Sequence, residues 1–294
     1  MAIASGIEAN DRIRIPALTG TANALTCAAN VGRAGSYPLF ADSLPELEIN
    51  AGKYQLRFAR TSAELDAVLR LRFEVFNLEL AEGLDASYAT GRDEDEFDAT
   101  SHHLLVMDRA GAEVVGTYRL RTAEMAASGG GFYSAGEYRL DDFPAQVRAE
   151  SIEIGRACIA RAHRRTAVLF LLWQGLAMYA RHNRKRYLFG CCSLTSQNEA
   201  GGWRVFRTLE ERGHLHPAVR AGAVPECVCR EADYADVTSE TKIPRLFDTY
   251  LRCGAKVCSE PAIDRAFKTI DFLVIFDTLK MSARTRQLLS ARGR

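Results

Sequence analysis

The stretch Ser151–Ala160 contains the two side chains best suited to chemistry in this chain, Glu153 and Arg156. The residues around them are mostly small or apolar, which predicts a β-strand. A carboxylate held between Ile152 and Ile154 would be a stronger base than one in water and could take a proton from an ammonium group. Side chains three positions apart point to opposite faces of a regular strand, so a single site needs a bulge between them. The alternative is that Glu153 belongs to a buried structural ion pair.

A basic turn follows this strand. Residues Arg161–Arg165 include three arginines and a histidine, and the apolar segment Ala167–Arg181 after them predicts a helix. The first N–H groups of a helix lack partners and carry partial positive charge. With the turn they could therefore bind a phosphate, such as that of a pantetheine arm. A basic turn of this kind can equally be an ordinary solvated surface.

Two further charged segments could contribute to the same site. The acidic run Asp93–Asp98 could hold a cationic amine, although such runs are usually solvated faces. The segment Val115–Arg121 predicts a strand with Arg119 and Arg121 on one face. Two arginines that face a core need carboxylate or phosphate partners.

Composition narrows the class of protein. The chain has 294 residues and a formal net charge of +1, so no global field attracts nucleic acid. Its eight cysteines do not follow a zinc-site spacing, and without a secretory signal we expect them to be reduced thiols. The apolar segment Val168–Ala180 is shorter than the ~20 residues of a membrane span, so we expect a core helix.

The order of predicted elements indicates an α/β fold in one domain. Residues 1–50 are rich in Ala, Gly, Asn and Ser and predict a loosely ordered N-terminal arm. Residues 51–294 predict the folded domain, with a C-terminal extension from about residue 200. The expected elements are a strand from Tyr54, a helix capped by Thr61 or Ser62, a hairpin of Leu104–Met107 and Glu113–Arg121, the strand and helix described above, strands at Arg186–Ser193, Ala255–Cys258 and Asp271–Phe276, and helices at Trp203–Arg212 and Pro244–Cys253.

Four short motifs occur in a distinctive order: Arg72-Phe-Glu-Val-Phe76, Asp95-Glu-Phe-Asp98, Gly116-Thr-Tyr-Arg-Leu120 and Glu153-Ile-Gly-Arg156. This order resembles acyl-homoserine-lactone synthases, long-chain N-acyl amino acid synthases and ornithine-lipid N-acyltransferases. These proteins are similar to the GNAT acyltransferases and use acyl carrier protein donors. Further along, Leu188-Phe-Gly-Cys-Cys-Ser-Leu194 and the segment Pro244–Ala255, followed by Asp264, Phe267 and Asp271, resemble the ornithine-lipid enzymes. The resemblance covers roughly residues 54–278.

The resemblance implies a GNAT-like fold, with a central, mixed, mostly antiparallel sheet flanked by helices, and a role for each matched residue. Glu153 matches the proposed general base. The set expected around the acceptor is Arg72, Asp95, Asp98, Arg119, Arg156 and Ser193. The set expected to contact the acyl donor is Ile159, Arg161, Arg164, Arg165, Thr166 and Ala167. No metal is implied, and the only prosthetic group is the acyl-4'-phosphopantetheine that the donor carries.

The sequence thus predicts a cytoplasmic N-acyltransferase that moves a fatty acyl or 3-hydroxyacyl group to the amine of an amino acid. The basic turn lacks the glycines of typical acetyl-CoA enzymes, which favours acyl carrier protein as donor, with Arg161–Arg165 and Arg181–Arg186 facing this acidic partner. Thr195-Ser-Gln-Asn198 stands where the ornithine enzymes have Gly-Thr-Asp-Pro, so ornithine, glycine and other amino acids stay open as acceptors.

Two other functions stay open at this point. One is a lactone-forming synthase that uses S-adenosylmethionine, although the long C-terminal part favours the first prediction. The other is a non-catalytic acyl-binding protein, or one peripheral to the inner face of the membrane, with the apolar segment Phe267–Phe276 in contact with lipid. We expect that segment to be a core strand instead.

Overall fold

The computed structural model describes residues 37–164, 166–231 and 242–281. Its strands are β1 Glu48–Ala51, β2 Tyr54–Phe58, β3 His102–Asp108, β4 Glu113–Thr122, β5 Ser151–Ile159, β6 Tyr187–Leu194, β7 Lys256–Val257, β8 Ala262–Asp264 and β9 Thr269–Asp277. Its α-helices are α1 Ser62–Phe73, α2 Ala123–Ser128, α3 Ala145–Ala149, α4 Thr166–His182, α5 Glu199–Glu211 and α6 Arg245–Arg252.

All nine strands belong to one sheet, in the order β1-β2-β3-β4-β5-β6-β9-β7, with β8 also paired to β9. Only β5 and β6 are parallel, and the long helix α4 makes the crossover between them. The prediction of an α/β fold with a mixed, mostly antiparallel sheet flanked by helices is therefore confirmed.

Local signals explain where several elements begin. Thr61 caps α1, because its side chain accepts from the N–H of Glu64 while the Glu64 carboxylate accepts from the N–H of Thr61. One turn of π-helix, Glu74–Glu79, continues α1. Helix α5 begins at Glu199, four residues before the predicted start, because Asn198 caps it through the N–H of Gly201.

Helix α4 packs one apolar face on the sheet. Val168, Leu172 and Tyr179 are fully buried there, in one cluster with Leu104 and Ile152 of the strands. Burial of this face explains why so apolar a helix forms in water. Within the described residues, no helix combines the length and the apolar character that a membrane span requires.

Strands β5 and β6 pair for only three residues, Ser151–Glu153 with Tyr187–Phe189. Beyond that point the parallel register ends and the strands diverge into a cleft. Gly190 lies at the apex, where an added Cβ would come within 2.1 Å of the carbonyl oxygen of Ile154. Any side chain at position 190 would thus force the two strands apart.

A bulge interrupts β5 at the point where the sequence required one. Thr117 pairs with Cys158 and Arg119 with Gly155, so Tyr118 alone opposes both Arg156 and Ala157. Arg156 has a φ of 48°, in the left-handed region. The extra residue brings the side chains of Glu153 and Arg156 to one pocket although they are three positions apart.

Two parts of the domain differ from the prediction. Residues 37–50, expected in the loose arm, pack on the domain: Leu44 and Leu47 are buried, and β1 extends the sheet. The part after residue 200 is no appendage, because β9 pairs with β6 along eight residues inside the sheet. Since Ile270, Phe272 and Leu273 of β9 are fully buried, the prediction of a core strand is confirmed there.

Candidate active site

A polar pocket lies where β5 diverges from β6. Glu153 and Arg156 of β5 line it together with Arg119 of β4 and Ser193 of β6. Tyr133, from the loop that follows α2, also lines it, and the guanidinium of Arg156 lies 4.7 Å from the centre of its ring. Four residues of the predicted set therefore meet in one pocket.

Glu153 is 6% exposed and accepts three hydrogen bonds among the described residues. Its two oxygens accept from the backbone N–H groups of Tyr133 and Ser134, both at 2.7 Å, and from the hydroxyl of Ser134. It takes part in none of the ion pairs among the described residues, so the structural ion pair is wrong. These donors fix the carboxylate at the pocket wall, as a positioned base requires.

Three arginines and three aspartates form a buried network beside the pocket. Arg72 binds Asp93 at 2.7 Å and Asp98 at 2.6 Å. Arg119 binds Asp95 at 2.5 Å and Asp98 at 3.0 Å, and Arg156 binds Asp95 at 3.0 Å. Burial favours the neutral acid, but Arg72 and Arg119 outweigh it and hold the pKa of Asp98 well below its usual value. The six charges therefore balance one another.

This network changes the interpretation of the acidic run. Asp93–Asp98 is not a solvated face, because Asp93 and Asp98 are almost fully buried. Nor is it free to hold an acceptor amine, since its aspartates already bind arginines. Three residues predicted to touch the acceptor do not line the polar pocket: Arg72, Asp95 and Asp98. They support Arg119 and Arg156, which do line it. Arg121 also lines it, but binds backbone carbonyls such as that of Gly131 at 2.6 Å.

Near this pocket lie further acids that sequence reasoning missed as site residues. Glu82, Asp264 and Asp271 line the pocket, and Glu137 lies beside Asp271. None of them belongs to an ion pair within the described ranges. Burial raises the pKa of Glu82 and of Asp264, and burial together with Asp271 and Asp264 raises that of Glu137 well above its usual value. Asp264 and Asp271 had a signal in the C-terminal resemblance, whereas Glu82 and Glu137 had none.

An apolar pocket adjoins the polar one. Trp173, Leu176 and Ala177 of α4 line it, and Tyr250 of α6 stacks on Trp173 with ring centres 5.7 Å apart. Ile154 and Cys191 line both pockets and so mark the point where they meet. The arrangement suits an alkyl chain that ends at a polar reaction site.

The predicted donor-binding turn is only partly available. Arg164 donates to both carboxylate oxygens of Glu79 at 2.5 Å and to the carbonyl of Ile159 at 3.0 Å. Its guanidinium is therefore already engaged and is not free to bind a phosphate. Arg161 and Ala167 are exposed, and Ile159 is buried at the end of β5. Helix α4 begins at Thr166, whose side chain, like all of Arg165, lies outside the described residues.

Comparison with known proteins adds independent findings. The acetyltransferase (GNAT) domain matches residues 71–174. An L-ornithine N(alpha)-acyltransferase of Rhodobacter capsulatus is 32% identical over 81% of this chain and 95% of its own length. The chain belongs to the L-ornithine N(alpha)-acyltransferase family. A member from Agrobacterium fabrum is 31% identical over 79% of this chain and 84% of its own length.

This membership establishes the chain as an N-acyltransferase with a GNAT domain, as predicted, and sets the non-catalytic alternative aside. The crystal structure of the acyl-homoserine-lactone synthase LasI is 13% identical over 82% of this chain and 96% of its own, with a TM-score of 0.44. That is a distant likeness, and the ornithine acyltransferase relatives favour the main prediction over the lactone synthase.

The ion network predicts a large stability difference between two arginines of α1. Arg72→Gln leaves Asp93 and Asp98 buried without their partner, so we expect the free energy of unfolding to fall by about 3–5 kcal/mol. Arg70→Gln removes only an exposed pair with Asp66, so we expect a loss below about 1 kcal/mol. Denaturant unfolding at neutral pH measures both, and equal losses would contradict the structural role of Arg72.

Proposed function

We propose that this enzyme transfers a fatty acyl or 3-hydroxyacyl group from acyl carrier protein to the α-amine of ornithine. The observation that carries the proposal is the junction of an apolar pocket with a carboxylate-rich pocket at Ile154 and Cys191. The first suits the acyl chain and the second a cationic amine. The relatives' name, L-ornithine N(alpha)-acyltransferase, supports the same acceptor.

The charge in the polar pocket favours a diamino acid over glycine. The three arginines and three aspartates of the network balance, which leaves Arg121 as the further cation that lines the pocket among the described residues. Four carboxyl groups line the pocket against it: Glu82, Glu153, Asp264 and Asp271. Zwitterionic glycine would leave this surplus uncompensated, whereas ornithine brings one additional positive charge.

In the proposed reaction, Glu153 accepts a proton from the α-ammonium, directly or through one water. The free amine then attacks the thioester carbonyl carbon, an amide bond forms, and the pantetheine sulfur leaves and takes up a proton. After Glu153, β5 no longer pairs with β6. The backbone N–H groups of β5 that point toward β6 beyond this residue can therefore polarise the carbonyl oxygen of the thioester. Arg156 and Arg119 would orient the α-carboxylate of the acceptor from their wall of the pocket.

The donor would approach the N-terminal end of α4. The first N–H groups of this helix would bind the phosphate of the pantetheine arm, and Arg161 is exposed in the turn that precedes the helix. Arg164 serves instead to fix the turn to Glu79. We therefore propose acyl carrier protein as the donor and the cytoplasm, where that carrier works, as the place of reaction.

The basic residues suggested as one dock for the carrier are two separate groups. Arg161 precedes α4, while Arg181 and Arg184 lie at its other end, and 17 helical residues span about 25 Å. Lys185 and Arg186 pair with Glu124 and Asp277. The end of α4 that would receive the pantetheine phosphate is the one at Arg161, so the carrier's acidic surface would contact that end.

Glu153→Gln tests the base. The amide cannot accept the proton, and its NH2 group would face the N–H donors of Tyr133 or Ser134, so we expect amide formation to slow by at least about 100-fold. Ser134→Ala keeps the backbone donors and should cost about tenfold or less. Turnover is measured with acyl carrier protein and ornithine after circular dichroism shows that each variant is folded. Near-normal turnover of Glu153→Gln at about neutral pH would remove Glu153 from this role.

A charge reversal at each end of α4 tests the dock. Arg161→Glu should raise the KM for acyl carrier protein by about tenfold, because it places a like charge before the acidic carrier. Arg181→Glu, at the other end, should leave the KM unchanged. In the unmodified enzyme the KM should also rise with salt. Equal effects of the two variants, or a KM independent of salt, would contradict this dock.

A further inference from the structure

Strand β9 presents two polar side chains to the polar pocket, Thr269 and Asp271. They are two positions apart and so share a face of the strand. Asp271 lies opposite Ser193 of β6, and Thr269 lies opposite Asp264 of β8. Strands β6, β8 and β9 thus bring oxygen acceptors to the pocket that Glu153 and Arg156 also line. We call Thr269 and Asp271 the β9 subsite.

Both residues of the β9 subsite have an acceptor without a partner. Thr269 is 2% exposed and Asp271 4% exposed, and neither Oγ1 of Thr269 nor Oδ1 of Asp271 has a hydrogen bond among the described residues. Buried polar atoms are rarely left in this state, because they lose their bonds to water without replacement. A protonated Glu137 can donate one hydrogen bond to the carboxylate of Asp271, whereas Oγ1 of Thr269 keeps no partner among the described residues. The β9 subsite therefore offers a ligand the hydroxyl of Thr269 and the remaining acceptor positions of Asp271.

The groups around the subsite define the charge of that ligand. Glu82, which accepts from the hydroxyl of Thr195, approaches from the loop after the π-helical turn. A carboxylate oxygen of Glu137 and the Sγ atom of Cys191 each lie within 4.8 Å of a carboxylate oxygen of Asp271. Asp264 is the fourth acidic side chain near the subsite. The positive charge close to it is that of Arg156, which already forms an ion pair with Asp95. An anion would be repelled here, whereas an ammonium group has three donors and a positive charge.

We propose that Thr269 and Asp271 bind the side-chain ammonium of the acceptor and so select a diamino acid over a neutral amino acid. The inference rests on the proposed function and assigns the two ends of the acceptor. The α-amine would face Glu153 on β5, and the second ammonium would be held on β9. Asp271 and Thr269 act on substrate selection, remote from the reacting carbonyl.

The test compares ornithine with L-norleucine, in which a methyl group replaces the δ-ammonium. We expect the unmodified enzyme to prefer ornithine by at least about 100-fold in kcat/KM, since a site built to bind an N–H group discriminates strongly against its absence. Asp271→Asn should lower kcat/KM for ornithine by at least about tenfold, mainly through KM, and leave that for norleucine unchanged or higher. Thr269→Val should act in the same direction with a smaller effect.

Asp277→Asn is the matched control. It is the same substitution on the same strand, at a carboxylate that pairs with Arg186 away from the pocket. It should leave the ornithine preference unchanged. If Asp271→Asn weakens both substrates equally, the residue has a structural role or binds the α-amine, and the inference is wrong.

Two outcomes distinguish a failure of the subsite assignment from a failure of the proposed function. If the unmodified enzyme acylates no amino acid at all, the proposed function fails. If it acylates ornithine and norleucine equally, the function stands and the subsite assignment fails. A stoichiometric metal ion in the purified enzyme, lost in Asp271→Asn, would show that Glu137, Cys191 and Asp271 hold a cation of another kind and would also overturn the proposal.

Discussion

A network of buried ion pairs between three arginines and three aspartates holds the bulge at Arg156, whose backbone is left-handed. Arg156 at a φ of 48° is strained for a residue with a side chain, and its guanidinium is fixed by Asp95 and by the rings of Tyr133 and Phe267. Asp95 is in turn fixed through Arg119 and Asp98 to Arg72. Without this chain of ion pairs, a regular β5 would turn Arg156 away from Glu153. The active site therefore depends on side chains that never touch the substrate.

The cleft between β5 and β6 connects an apolar pocket, suited to an alkyl chain, with the polar pocket that contains Glu153. Strand pairing stops after Glu153, and Gly190 lets the two backbones approach closely at the apex. One side of the cleft is apolar and backed by α4, while the other carries the carboxylates. Under the proposed function, such a boundary would expose the thioester to the amine and keep the alkyl chain out of water. In the proposed reaction the two substrates would occupy pockets of different polarity that adjoin at Ile154 and Cys191.

Much of this arrangement could be predicted from sequence because its signals are local. Alternation predicted β2, a run of small and apolar residues predicted β5, and Thr61 predicted the start of α1. The bulge follows from the spacing of Glu153 and Arg156, which can share a site only if the strand is irregular between them. Partners distant in sequence left no such signal. Glu79 neutralises Arg164 across 85 residues, and Glu82 reaches the pocket only because the loop after the π-helical turn folds back. The short strand β1 was missed because residues 48–51 are too few for a clear period.

The claim that these pockets acylate the α-amine of ornithine is tested most directly by the lipids that the enzyme makes. The chain is expressed in a bacterial host that lacks ornithine lipids, and lipid extracts are compared by mass spectrometry with those of the host alone. The account predicts a new N-acyl-ornithine species whose fragments place the acyl group on the α-nitrogen. A well-expressed, folded enzyme that yields an acylated product of another amine, an acyl-homoserine lactone, or no new species would contradict it.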